Sequence, residues 1–217
     1  MYLFYYMASF FTRVILIILT RWEVFGREHV PRTGALILVS NHLNNVDPPV
    51  LSASLPRRIV FMAKEELYNA RNISGFLTRG FGAFPVRRGE VDRRALRQAV
   101  QALERGLLLG LFPEGTRSLK GQMQEAQLGT AWIALESGAS ILPVAIWGTE
   151  EIRTLGDVLT RPHIRVNIGK PFNLPPLPPG KRSAHLPQAT QIIMESIAAL
   201  LPPQYRGVYG GRVAANC

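Results

Sequence analysis

Ala35-Leu36-Ile37-Leu38-Val39-Ser40-Asn41-His42-Leu43-Asn44-Asn45-Val46-Asp47-Pro48 holds three signals in succession. Ala35–Ser40 is a short, continuous apolar run, the pattern of a strand buried on both faces. A polar turn follows. Pro48 then opens a short helix over 48–54, because proline is tolerated at a first helical position, where its missing N–H costs nothing. A buried strand that feeds a helix is the repeating unit of α/β architecture.

The same alternation continues outward. Arg58–Ala63, Gly82–Val86, Leu107–Phe112, Ile141–Trp147 and Ile164–Ile168 read as further strands, with Pro143 at a strand start or on an edge. Helices are expected over 64–70, 74–80, 92–105, 125–137 and 188–201. In the helix over 92–105, Ala95, Leu96, Ala99 and Leu103 form one stripe, and Gly106 can end it in the left-handed conformation. In the helix over 125–137 the stripe is Leu128, Trp132 and Leu135. Six prolines in 171–187 predict an extended connection, and 207–217 predict a frayed end. The expectation is one α/β domain: a mixed, mostly buried sheet flanked by helices, without internal repeats.

Within the turn, His42 and Asp47 are five residues apart. On a regular helix they would stand about 140° from each other and share no face. They can meet if His42 ends the strand and Asp47 starts the helix. Asp47 precedes a proline, which favours the non-helical backbone of an N-cap. A carboxylate on one ring nitrogen would set the tautomer and leave the other nitrogen free to take a proton. By spacing alone, the pair also fits a plain helix cap beside a loop histidine.

A second polar segment, Phe112-Pro113-Glu114-Gly115-Thr116-Arg117-Ser118, follows the strand over 107–111. Gly115 permits a sharp turn and close approach of a ligand. Arg117 offers a planar fork suited to phosphate, and Glu114 could hold that arginine or bind a hydroxyl. A turn with a surface arginine is the alternative. In Gly82–Gly89, Arg87 and Arg88 point to opposite faces if the strand continues, so one of them at most meets a site. There is no Gly-x-Ser-x-Gly elbow, Walker A segment or dinucleotide fingerprint. His29, His42, His163 and His185 lack metal-ligand spacing.

The net charge of +10 favours an anionic partner: nucleic acid, an acidic membrane surface or a phosphorylated substrate. Nucleic acid is disfavoured, since no recognised fold signature or aromatic stacking array accompanies the arginines. Cys217 is the single cysteine, so no internal disulfide can form. Residues 1–20 are nearly all apolar but lack the early positive charge and the cleavage site of a secretory leader. At ~100° per residue, Tyr2, Tyr5, Ser9, Thr12, Arg13, Leu16 and Thr20 share one arc, while Phe4, Met7, Phe10, Phe11, Val14, Ile15 and Ile18 face away. We read an amphipathic helix lying in the bilayer interface, its polar stripe against water or the protein body. A spanning helix and an ordinary core helix are the alternatives.

Taken in order, these segments resemble the 1-acyl-glycerol-3-phosphate acyltransferase family within the glycerolipid acyltransferases. Asn41-His42-x4-Asp47 resembles its His-x4-Asp box. Gly82–Arg88 resembles its second block, whose final arginine falls on Arg88. Phe112–Arg117 matches its Glu-Gly-Thr-Arg block, and Ile141–Ile146 its hydrophobic fourth block. The likeness runs from about Trp22 to Lys170. Arg87 stands where the second block often has an acidic residue, and Gln127 where members often carry lysine.

The resemblance implies a glycerolipid acyltransferase fold with a membrane-anchoring helix over 1–21, a catalytic domain over 22–201 and a tail over 202–217. It implies transfer of an acyl group from acyl-CoA or acyl-carrier protein to the free hydroxyl of lysophosphatidate, giving phosphatidic acid. His42 would be the base and Asp47 its partner. Arg88 and Arg117 would grip the phosphate, with Glu114, Gly115 and Thr116 ordering that subsite. No cofactor or metal would be needed beyond the thioester co-substrate. The expected location is the cytoplasmic face of a membrane whose anionic surface attracts the protein. The same chemistry on glycerol-3-phosphate or another lysolipid is the alternative, and a non-enzymatic lipid-binding protein is a third reading.

Overall fold

A computed structural model describes residues 2–87, 92–175 and 182–213. The chain begins with α1 (Tyr2–Leu19), β1 (Arg21–Phe25), β2 (Leu36–Ser40), α2 (Asp47–Ser54) and β3 (Ile59–Lys64). Next come α3 (Glu65–Asn69), α4 (Ile73–Gly80), β4 (Phe84–Val86), α5 (Arg93–Glu104) and β5 (Leu108–Leu111). α6 (Gly129–Ser137), β6 (Ser140–Trp147), β7 (His163–Ile168), α7 (Leu186–Ala198) and α8 (Gly210–Val213) complete it. The strands form one sheet in the order β1-β7-β6-β2-β5-β3-β4. β6, β2, β5, β3 and β4 run parallel, while β7 is antiparallel to β6 and parallel to β1. The sheet is therefore mixed and flanked by helices, as expected.

Alternation along the strands separates two cores. Ile37, Val39, Leu109, Leu111, Ile141 and Ala145 face α5, α6 and α7. Leu36, Leu38, Leu108, Leu142, Val144 and Ile146 face α2 and the Leu16 side of α1. Every residue of β2 and β5 is buried, which is why these segments read as unbroken apolar runs.

α1 lies along α2 with its polar arc inward. Tyr5, Leu16 and Thr20 are buried, and Arg13 donates through Nε and Nη2 to the carbonyl of Ala53. Its apolar face is outward: Leu3, Tyr6, Met7, Phe10, Phe11, Ile15, Ile17 and Ile18 are all exposed. At about 1.5–3 kcal/mol for full burial of one such side chain, that face leaves on the order of 10 kcal/mol of burial unrealised. No described helix is long and apolar enough to cross a membrane. The outward apolar face sets aside the core-helix alternative.

Four expectations need correction. β1 was not anticipated; it is a five-residue edge strand with no fully buried position and no sharp alternation. α6 begins at Gly129, not 125, because the amides of Gln124 and Gln127 are taken by Glu114 and by the Pro113 carbonyl. Its buried face is Thr130, Ala131, Ile133 and Ala134, while Leu128 is exposed. Pro143 lies inside β6, paired to Val39 of β2. Its carbonyl accepts from Gly169, so its nitrogen faces the flank where β7 has ended and needs no donor. Of the end expected to fray, 207–213 form short helical turns that bury Tyr209 in the core, and 214–217 lie outside the described residues.

Candidate active site

The site lies where β6, β2 and β5, three adjacent parallel strands, end. This is the usual place for ligands in such sheets, since the loops there converge from neighbouring strands. β2 delivers Asn41 and His42, β5 delivers Phe112 to Arg117, and β6 delivers Thr149.

His42 and Asp47 meet. His42 Nδ1 is 2.8 Å from Asp47 Oδ2, with His42 only 7% exposed and Asp47 fully buried. The same Oδ2 accepts the amides of Leu43 at 2.7 Å and Asn44 at 2.8 Å. Oδ1 accepts the Thr149 hydroxyl at 2.6 Å. Both carboxylate oxygens act as acceptors, so the ring proton sits on Nδ1 and Nε2 keeps its lone pair. Asp47 is the first residue of α2 and does not cap it. The next two positions are Pro48 and Pro49, which have no N–H to offer. The carboxylate instead turns back into the turn that carries His42.

The turn is tied down by its asparagines. Asn41 pairs with the backbone of Ile146 through both amide atoms, at 2.7 and 2.9 Å. Asn44 donates to the carbonyls of Thr149 at 3.0 Å and Ile152 at 2.6 Å. The imidazole stacks on Phe112, with centroids 4.0 Å apart, and Phe112 stacks on Phe61 at 5.8 Å. Gly110 leaves room for this pile: a Cβ there would stand 2.5 Å from the Phe61 ring.

The Glu-Gly-Thr-Arg turn divides by direction. Glu114 is 3% exposed and faces inward. Its Oε1 accepts from the His42 amide at 3.1 Å and its Oε2 from the Gln124 amide at 3.0 Å. It braces the loop under His42; its bonds go to the His42 amide and to the amide and side chain of Gln124, not to Arg117. Burial pushes its carboxyl up to about 7, against the pull of those hydrogen bonds and with a small contribution from the Asp47 charge. Gly115 takes the left-handed conformation at φ 72°, and the Gln127 side chain lies 3.2 Å from where its Cβ would be. Thr116 and Arg117 point to solvent, and Arg117 forms no bond with a described residue. Ser118 donates its amide to the His42 carbonyl at 2.8 Å, which joins this turn to the first.

Arg88 lies outside the described residues. Arg87 turns away to Glu65, at 2.9 Å through Nε. Sequence reasoning missed Thr149 and Phe112 as parts of the site. The only available signal was the position of each at the end of a strand.

A buried, oriented imidazole beside an exposed guanidinium can take a proton from a hydroxyl on an anionic molecule. Comparison with known proteins agrees with that chemistry. The acyltransferase family model matches residues 21–147. The 1-acyl-sn-glycerol-3-phosphate acyltransferase of Streptococcus pneumoniae is 30% identical over 168 residues, which is 73% of this chain and 61% of that protein. The lyso-ornithine lipid O-acyltransferase of Pseudomonas aeruginosa is 33% identical over 140 residues, 59% of this chain and 53% of that protein. The chain thus spans between half and two thirds of the length of these relatives. A solved 1-acyl-sn-glycerophosphate acyltransferase from Thermotoga maritima shares the fold, with a TM-score of 0.68 at 24% identity over 89% of this chain and 78% of the other.

Proposed function

This chain belongs to the acyltransferase family, and on that premise we propose that it moves an acyl group from a thioester to the free hydroxyl of 1-acyl-glycerol-3-phosphate, giving phosphatidic acid. The observation that carries the reading is the His42 Nδ1–Asp47 Oδ2 bond, which frees Nε2 as a base. His42 Nε2 removes the hydroxyl proton as the acceptor oxygen bonds to the thioester carbonyl carbon. The tetrahedral oxyanion then collapses, the C–S bond breaks, and the thiolate leaves with its electron pair. The imidazolium returns the proton to that sulfur, and Asp47 steadies its charge in between.

Arg117, with Arg88, holds the phosphate and so sets which hydroxyl meets His42. Thr116 and the Gly115 turn shape that subsite, while Glu114 acts through the loop it braces. The acyl donor is acyl-CoA or acyl-carrier protein, and no cofactor is required. The exposed apolar face of α1 rests in the bilayer surface, on the cytoplasmic side where acyl thioesters occur, so that acceptor and product stay in one leaflet.

The test is release of free thiol from acyl-CoA or acyl-carrier protein on adding lysophosphatidate. His42→Ala should abolish release; full activity in that variant would overturn the mechanism. One observation favours a second acceptor class. The Pseudomonas relative is named for a lyso-ornithine lipid, and Arg87 and Gln127 depart from the usual phosphate-acceptor pattern. A panel of lysolipids and glycerol-3-phosphate separates the two readings.

A further inference from the structure

A second basic cavity lies between α1, α2 and the turn after β1, away from His42. Its volume is about 380 Å³, within the range of small-ligand sites. Arg13, Arg27 and Arg57 line it, and among the described residues no aspartate or glutamate does. Arg57 is held in place by the carbonyls of Pro31, Thr33, Gly34 and Gly106. Arg13 is fixed on Ala53, and the Arg27 guanidinium rests 5.3 Å over the Trp22 ring. All three cations are therefore positioned by neutral partners, and their charge is left uncompensated. Burial, and then the charge of Arg13, hold Arg27 below the usual arginine range.

The cavity also holds hydroxyls with capacity to spare. Ser52 is 3% exposed, and its hydroxyl and that of Ser9 interact with the Tyr5 phenol but make no other hydrogen bond among the described residues. The phenol oxygen also accepts from the Ile59 amide. A hydroxyl can both donate and accept, so Ser52 keeps hydrogen-bonding capacity beyond Tyr5 where it lines this cationic space. Tyr6 and Phe10, on the exposed apolar face of α1, line the same cavity.

We propose that this cavity binds the phosphate of an anionic phospholipid, with Arg13, Arg27 and Ser52 as its donors and the outer face of α1 against the acyl tails. The apolar rim favours a lipid over free phosphate, because a soluble anion would leave that rim in water. The site goes beyond the acyl-transfer reading and does not depend on it. Its occupant would join α1 to α2, the helix that begins at Asp47.

The test is sedimentation of the full chain with vesicles of phosphatidylcholine, with and without phosphatidylglycerol. The quantity read is the gain in affinity on adding the anionic lipid. Ser52→Ala changes no charge, yet it should cut that gain about tenfold, the worth of one hydrogen bond to a charged group. Arg27→Gln should cut it at least as much. Arg97→Gln, on α5 across the sheet, should leave it unchanged. Binding to pure phosphatidylcholine should stay the same in all three variants, since it reads the apolar face. If Ser52→Ala keeps the full gain, or Arg97→Gln loses as much as Arg27→Gln, charge is acting diffusely and the site does not exist. Suppression of the gain by millimolar inorganic phosphate, at matched ionic strength, would overturn the lipid as ligand.

Discussion

Thr149 Oγ1 donates to Asp47 Oδ1 at 2.6 Å across 102 residues of sequence, and both residues are fully buried. The carboxylate that orients His42 is thus itself oriented from the end of a different strand. Two links in a row, Thr149 to Asp47 and Asp47 to His42, give the base one geometry.

Removing the first link should weaken turnover without weakening binding. Thr149→Val keeps the shape but deletes the donor, at about 1.5–3 kcal/mol for a hydrogen bond to a charged group. The expected result is a fall of about 10- to 100-fold in kcat with KM unchanged, read by thiol release. Thr149→Ser should restore most of the loss. A matching rise in KM would point to a structural role instead.

Asp47→Asn tests the tautomer. An amide presents N–H where four donors now converge, so one or more of those contacts must turn away. The imidazole then loses the partner that keeps its proton on Nδ1. A drop on the order of 10³ in kcat is expected, together with a lower melting temperature from the crowded donors. Comparable activity in this variant would remove Asp47 from the mechanism.

Glu114 predicts a particular pH dependence of stability. Its carboxyl is raised to about 7 in the folded protein, above the ordinary value near 4.5. Between those values the folded state holds a proton that the unfolded state has lost. Stability should therefore be fullest below about pH 4.5, fall as pH rises through about 7, and level off above it. The span is at most about 3 kcal/mol. Urea midpoints from pH 5 to 8 would show the slope, and Glu114→Gln should flatten it. An equal slope in the variant would assign the effect to other groups.

Gly110→Ala should disturb His42 from a distance. The added methyl would meet Phe61 at 2.5 Å and Ile59 at 2.6 Å. Phe61 supports Phe112, and Phe112 supports the imidazole. A loss of about 1–3 kcal/mol from overpacking is expected, with activity reduced beyond what unfolding explains. Phe61→Leu alone, which removes the ring under Phe112, should also lower activity. Full activity in both single variants would break the proposed line of contact.

The outer face of α1 should govern vesicle binding. Phe11→Ser with Ile18→Ser removes two exposed apolar side chains that touch no core. At about 1.5–3 kcal/mol for each side chain buried, partition onto phosphatidylcholine vesicles should fall at least tenfold. The melting temperature in solution should hold. Unchanged partition would mean that another surface meets the membrane.

Much of this was legible from local pattern. The buried runs of β2 and β5, the α5 stripe with its Gly106 stop, and the polar arc of α1 all follow from the spacing of neighbours along the chain. The encounter of His42 with Asp47 was readable as one of two outcomes for the same reason: five residues, a proline and a strand end leave few ways to turn. Its detail was not. Asp47 turns back instead of capping because two prolines follow it, and because Thr149 waits on the far side.

What the sequence by itself determined is the class of fold and the two polar turns; it allowed the pairing of base and carboxylate without choosing it over a plain helix cap. Each is set by backbone preferences and hydrophobic period over fewer than about ten residues. The tertiary structure alone decided that Glu114 faces inward, that Phe112 carries the imidazole, and that Thr149 completes the chain of donors. It also decided that the polar stripe of α1, not its apolar face, meets the body. Those outcomes depend on which strands become neighbours. Strand order brings together residues some 70 to 105 positions apart, and no local periodicity encodes that order.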